Sequence, residues 1–144
     1  MTQSSMKDVK VFTVEQANAA LPLVRAIVTD LAELSRDVVE RRERLSLLLA
    51  RRGKHAGDLY SDELAQIEEE LEKDAERLQS YVDELVELGV EPKNGPEGLV
   101  DFPSIHEGRL VYLCWKLGEP EVMFWHDLEA GFRGRQPLPA GTVS

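Results

Sequence analysis

The stretch Trp125–Arg135, WHDLEAGFRGR, places one histidine, two acids and two arginines directly behind a hydrophobic run. His126 and Glu129 fall on one side of a short turn, where an imidazole and a carboxylate can together hold a metal or move a proton. Arg133 and Arg135, separated by Gly134, offer two planar guanidinium forks suited to gripping an anion. One histidine–carboxylate pair is too few donors for a metal, and Asp101, Glu119 and Glu15 are the carboxylates placed to complete it. The candidate metal set is therefore His126, Glu129, Asp101 and Glu15, and the candidate ligand-binding set is His126, Arg133, Arg135 and Tyr112. Oxygen-rich donors of this kind suit divalent iron, manganese or magnesium better than structural zinc. His55, at a hairpin tip, and His106, in a turn, are poorer ligands. The same stretch also has a plain explanation. DLEAG makes a capped helical turn in which Asp127 accepts amide hydrogen bonds, Gly131 takes the left-handed position and Phe132 docks to close it, leaving His126 inert at a strand end.

Whether these side chains meet depends on the elements that carry them. GLVDFP, RLVYLCWKL and EVMFWH are β-rich runs separated by IHEG and GEP, which predicts a three-stranded antiparallel meander. Val9–Phe12 is a candidate for one further edge strand. With GEP as the second turn, His126 lies opposite Tyr112, and His126, Phe124, Tyr112 and Cys114 share a face. Asp101 depends on the first turn. A three-residue HEG loop with a bulge at Gly108 puts it on the opposite face, whereas a two-residue His106–Glu107 loop sets it beside Tyr112 and His126. Both faces of the meander are hydrophobic, so one should pack on helices and the other on the C-terminal segment or a partner.

Ahead of the meander the period changes. Thr13 and Gln16 form a capping box, and Pro22 is early enough to be tolerated in the helix that follows. Apolar or small residues then recur at Leu21, Val24, Val28, Leu31, Ser35, Val38, Arg42, Leu45 and Leu49, with Ser35 and Arg42 as the breaks. A second arm, capped by Ser61 or Asp62 and closed by Gly89, repeats the spacing through Leu64, Ile67, Leu71, Ala75, Leu78, Val82, Leu85 and Leu88. One antiparallel register pairs the two series and sets Arg51 near Asp62, Arg44 near Glu69, Arg42 near Glu70, Glu40 near Lys73 and Arg25 near Glu87. The expected fold is α+β: a long antiparallel two-helix coiled-coil hairpin with a small three-stranded antiparallel β-meander head at its base. Its parts are a tail and edge strand over 1–12, arms over 13–52 and 61–89, and a head with its C-terminal turn over 97–138, all in a single domain spanning 1–144. Ile27, Leu34, Leu47 and Leu48 lie beside the seam and should stay partly exposed in a monomer, which favours a homodimer built as four helices.

Composition narrows the function classes. Of the 27 acids and 17 bases, thirteen acids and only two bases lie between Asp58 and Glu91, so the excess charge is concentrated on the second arm. A face of this sign argues against nucleic acid. No segment approaches the roughly 20 apolar residues that cross a bilayer, and the polar opening MTQSSMKDVK lacks the apolar run of a secretion signal, so a cytoplasmic protein is expected. The lone Cys114 excludes an internal disulfide and a thiolate-rich zinc site, and in its hydrophobic run it has the character of a small core residue. HExxH, paired CxxC, Walker, GxGxxG and GxSxG motifs are all lacking.

Two segments, FTVEQANAALPLVR and GLVDFPSIHEGRLVYLCWKLGEPEVMFWHDLEAGFRGRQPL, resemble a bacterial family known as domain of unknown function 2203, over about residues 11–138. Its FT-x-E-x-AN opening falls on Phe12, Thr13, Glu15, Ala17 and Asn18. Its WH…GF-x-GR close falls on Trp125, His126, Gly131, Phe132, Gly134 and Arg135. The resemblance implies a small bacterial cytoplasmic protein and supplies no substrate. Without a catalytic motif, the sequence favours a non-enzymatic dimeric helical-hairpin protein that meets a protein partner through its acidic arm. The alternative is a small-ligand or metal-binding protein, extending to an enzyme, with its site around His126.

Overall fold

The computed structural model describes residues 10–51 and 58–139; Val9, Arg52 and His55 lie outside them. Helix α1 (Val14–Ala50) starts where the capping box places it. The Thr13 hydroxyl accepts from the Gln16 amide at 3.0 Å, and the Gln16 side chain accepts from the Thr13 amide at 3.0 Å. Pro22 is absorbed without ending the helix. Helix α2 (Asp58–Leu88) begins three residues ahead of the expected cap. It stops in a two-bond motif in which Gly89 N–H donates to the Val86 carbonyl and Val90 N–H to that of Leu85. Leu85 and Val90 are both buried, so the apolar contact that usually accompanies this motif is present.

The helices pack side by side in opposite directions, with ion pairs Arg41–Glu70, Arg41–Asp74 and Arg44–Glu63 between them. These are not the pairs that the seam register predicted. Arg44 meets Glu63 instead of Glu69, Arg41 takes the place expected of Arg42, and Arg25 turns to the Pro120 carbonyl. Asp74 is buried and Ala75 exposed, the reverse of the expected seam, because Arg41 follows Asp74 into the interface. Ile27 and Leu34, expected to stay partly exposed, are 7% and 5% exposed. The cause is a broad buried stripe on α1 that takes in both Leu31 and Ala32, wider than one partner helix covers. Ser35 interrupts the apolar series because the chain at Gly95 approaches it so closely that a Cβ there would lie 2.6 Å from its hydroxyl. Leu47 remains exposed, at 63%.

The head is a five-stranded antiparallel sheet in sequence order, in place of the expected three strands: β1 (Glu91–Asn94), β2 (Leu99–His106), β3 (Arg109–Lys116), β4 (Phe124–Asp127) and β5 (Gln136–Pro137). The two added edge strands are short and each contains a proline, which obscures them in sequence. The expected N-terminal edge strand reduces to Phe12, whose N–H donates to the Pro103 carbonyl at 2.7 Å. The first turn is neither of the two anticipated. His106 pairs with Arg109 around Glu107 and Gly108, whose φ values of 52° and 80° give the twist favoured in two-residue hairpins. Glutamate is disfavoured at positive φ, so the sequence carries only half of this signal. Gly108 supplies the other half.

One face of the sheet, through Val100, Phe102, Val111, Leu113, Trp115 and Trp125, joins Val24, Val28, Leu31 and Leu85 in the core. Helix α1 is also tied to the head by hydrogen bonds: Asn18 accepts from the Val122 amide and Arg36 donates to the Pro96 carbonyl. The family-like opening motif thus has a docking role, with Phe12 edge-to-face on Phe102 and Ala17 fully buried. No helix among the described residues is long and apolar enough to cross a membrane. Burial predicts how the arms respond to truncation. Ile27→Ala should cost about 2–4 kcal/mol by urea denaturation, and Leu47→Ala no more than about 0.5 kcal/mol. The Ile27→Ala cost should not change with protein concentration, as it would if this side chain were buried only between two copies.

Candidate functional site

The other sheet face carries the chemistry. Backbone pairing aligns Glu91, Asp101, Cys114, Phe124 and Pro137 in one row across all five strands. The neighbouring row holds Pro103, Tyr112 and His126. Side chains at paired positions stand on the same face, so strand alternation brings Asp101 from β2, Cys114 from β3 and His126 from β4 together. Their donor atoms lie within 4.8 Å of one another. All three residues are buried, with Asp101 at 3%, Cys114 at 0% and His126 at 2% exposure.

The hydrogen bonds fix the imidazole. Its Nδ1 sits 2.7 Å from the Asp127 carbonyl oxygen. A carbonyl can only accept, so Nδ1 carries a proton and donates it. Nε2 then points at Asp101, 3.1 Å from each carboxylate oxygen. Two acceptors facing each other in a dry site would repel, so one proton lies between ring and carboxyl, and the pair is neutral overall whichever atom holds it. Burial pushes the Asp101 carboxyl above its ordinary value, with the His126 imidazole pulling the other way. Burial, reinforced by the neighbouring Asp101, pushes the Cys114 thiol up to about 12, with Arg135 opposing. In the metal-free protein Cys114 is therefore a thiol and a poor nucleophile.

Two charged groups roof the trio. Arg135 bonds to Glu119, and its Nη1 lies 3.9 Å from Cys114 Sγ. Its guanidinium carbon sits 3.9 Å from the centre of the Phe124 ring and 4.3 Å from that of Phe132. Glu119 is itself held by the Lys116 amide. The turn that brings Arg135 back is tight, since a Cβ at Gly134 would meet that of Ala130 at 2.7 Å. On the other flank the Tyr112 hydroxyl donates to the Glu91 carboxylate at 2.9 and 3.0 Å from its two oxygens, Lys93 bonds the same carboxylate, and the Tyr112 ring is 5.5 Å from that of His126.

Of the residues singled out in sequence, His126, Asp101, Tyr112 and Arg135 converge. Three others do not. Glu129 is exposed on the turn after β4, and Arg133 is exposed beside it. Glu15, exposed in the first turn of α1, lines a hollow of about 410 Å³ with His106 and Trp125. That hollow is on the helix side of the sheet, because Trp125 and His126 are neighbours in one strand and point to opposite faces. The turn DLEAG is not the carboxylate-capped one anticipated. Ala130 N–H donates to the Asp127 carbonyl, while the Asp127 carboxylate pairs with Arg109 at 3.0 Å. Gly131 does take a positive φ, 69°. Cys114 joins the site although its sequence context marks it as a core residue. Alternation from Tyr112 already placed it on the histidine's face, but its hydrophobic neighbours suggested a packing role.

The chain matches the family model described as an uncharacterized conserved protein, DUF2203, over residues 10–138, and it belongs to that family. No curated protein and no solved structure matches it. Within the chain, the closing motif of the resemblance supplies His126 and Arg135 to the site, and the opening motif docks α1 on the sheet.

The Asp101–His126 contact has a direct energetic test. Asp101→Leu or His126→Leu alone leaves a buried polar group without its partner and should cost about 3–5 kcal/mol in chelator-treated protein. The double variant should be more stable than the sum of the two losses by at least about 1 kcal/mol in urea denaturation. Glu129→Ala and Arg133→Ala should each stay within about 0.5 kcal/mol of the parent.

Proposed function

We propose that this protein binds a divalent metal ion in its head, at the buried group formed by Asp101, His126 and Cys114. The observation that carries the proposal is the convergence of three ligating side-chain types from three adjacent strands within 4.8 Å, each almost without solvent contact. The orientation of His126 supports it. A metal-ligating imidazole ordinarily donates its other ring N–H to a backbone carbonyl or carboxylate, and Nδ1 of His126 already makes that bond while Nε2 faces the other donors. Placement on strands gives the donors fixed spacing that loops would not. A reducing compartment, expected from the single cysteine, keeps Cys114 available as a ligand.

Elemental analysis of protein purified without an affinity tag is the direct check. About one equivalent of metal should persist through gel filtration and disappear in His126→Ala, and chelator should lower the melting temperature of the parent alone. A parent protein with no stoichiometric metal, and no thermal response to divalent ions, would refute the proposal.

A second reading, a dimeric hairpin that meets a partner protein, has support from the outer half of α1, where Val39, Leu47 and Leu49 are 46%, 63% and 44% exposed. Burial of Ile27 and Leu34 within the chain removes half of its sequence basis. Light scattering across a concentration series would decide it. A dimer that Leu47→Glu dissociates would support this reading, and a monomer at all concentrations would refute it.

A further inference from the structure

Accepting the metal-binding proposal, we infer that the site is selective for a thiolate-binding ion of the zinc(II) type, held by one Asp101 oxygen, Cys114 Sγ and His126 Nε2, with one coordination position left to a non-protein ligand. This replaces the oxygen-rich iron, manganese or magnesium site expected from sequence. The change follows from which residues the fold brings together. With Glu129 and Glu15 elsewhere, the donors are one oxygen, one nitrogen and one sulfur. A sulfur donor disfavours the hard cations magnesium and manganese and suits zinc.

Geometry agrees with a small tetrahedral ion. Bonds of about 2.0 Å to nitrogen and oxygen and about 2.3 Å to sulfur put neighbouring donors roughly 3.3–3.6 Å apart. The nitrogen–oxygen edge is already 3.1 Å, and every pair in the group lies within 4.8 Å, so closure takes a shift of no more than about 1.5 Å at one end. Cys114 and Asp101 are direct ladder partners, which lets that shift come from side-chain rotation. Charge agrees as well. A dication with one thiolate, one carboxylate and a neutral imidazole sums to zero, which a site at 0–3% exposure can accommodate. Arg135 completes the surroundings: its Nη1, 3.9 Å from the sulfur, donates to a thiolate lone pair without ligating the ion, and Glu119 balances its charge.

Cobalt(II) is the probe, because its absorption reports both ligand type and geometry. Chelator-treated, reduced, untagged full-length protein titrated with cobalt(II) should develop a sulfur-to-metal charge-transfer band in the near ultraviolet and the strong visible bands of a tetrahedral site. One equivalent of zinc(II) should abolish both, while a thousandfold excess of magnesium(II) or manganese(II) should not. Cys114→Ser should lose the near-ultraviolet band and bind zinc at least about 100-fold more weakly. Cobalt binding without the near-ultraviolet band in the parent, or displacement of zinc by manganese, would overturn this selectivity and leave the metal-binding proposal standing. Absence of calorimetric binding by zinc, cobalt and manganese alike would sink both. Because the parent spectrum alone decides the sulfur question, the test survives a Cys114→Ser variant that fails to fold.

Discussion

A carboxyl and an imidazole buried together between strands must satisfy each other or be satisfied by something else, and the head is arranged around that requirement. Asp101 and His126 are almost without solvent, and neither charge is tolerable alone there. Their pairing requires β2, β3 and β4 to hold one register, since a slip of a single residue would send Asp101 to the helix side. That register is set by the two-residue turn at Glu107–Gly108 on one side and by the Tyr112–His126 pairing on the other. The short strands β1 and β5 then deliver the roof, Glu91 with Lys93 at one edge and Arg135 beside the other.

The helices serve this sheet from behind. The core joins one face of α1 to Val100, Phe102, Leu113 and Trp115, so the strands that carry the site have a rigid backing. A broad buried stripe on α1 reflects this double duty toward α2 and toward the sheet. Beyond Val38 no further residue of α1 is fully buried; Arg41, Glu70 and Asp74 form an ion-pair cluster there, and Ile67 of α2 is buried on its outer side. Burial, which supplies most of the stability, is thus densest near the head, while the outer arms are held by Ile67, the partly buried leucines around it and the ion pairs.

Much of this was legible in the residues because local signals were strong. The capping box fixed one end of α1, the 3.6-residue period marked both helices, and the alternation around GEP set Tyr112 against His126. The failures have specific physical causes. EPKN and QP are too short, and too rich in proline, to carry a strand pattern. Glu107 occupies a backbone conformation that glutamate disfavours, so the turn that decides the place of Asp101 left no clear mark. Glu129 looked close to His126 in sequence, yet the chain leaves the sheet between them. Cys114 sits in a hydrophobic run, where a ligand and a packing residue look alike in sequence.

X-ray absorption at the zinc edge of zinc-loaded full-length protein tests the central claim most directly. The account predicts one sulfur at about 2.3 Å with nitrogen and oxygen scatterers at about 2.0 Å, including the outer-shell pattern of a single imidazole. A first shell of oxygen and nitrogen alone, or zinc lost on desalting, would contradict it.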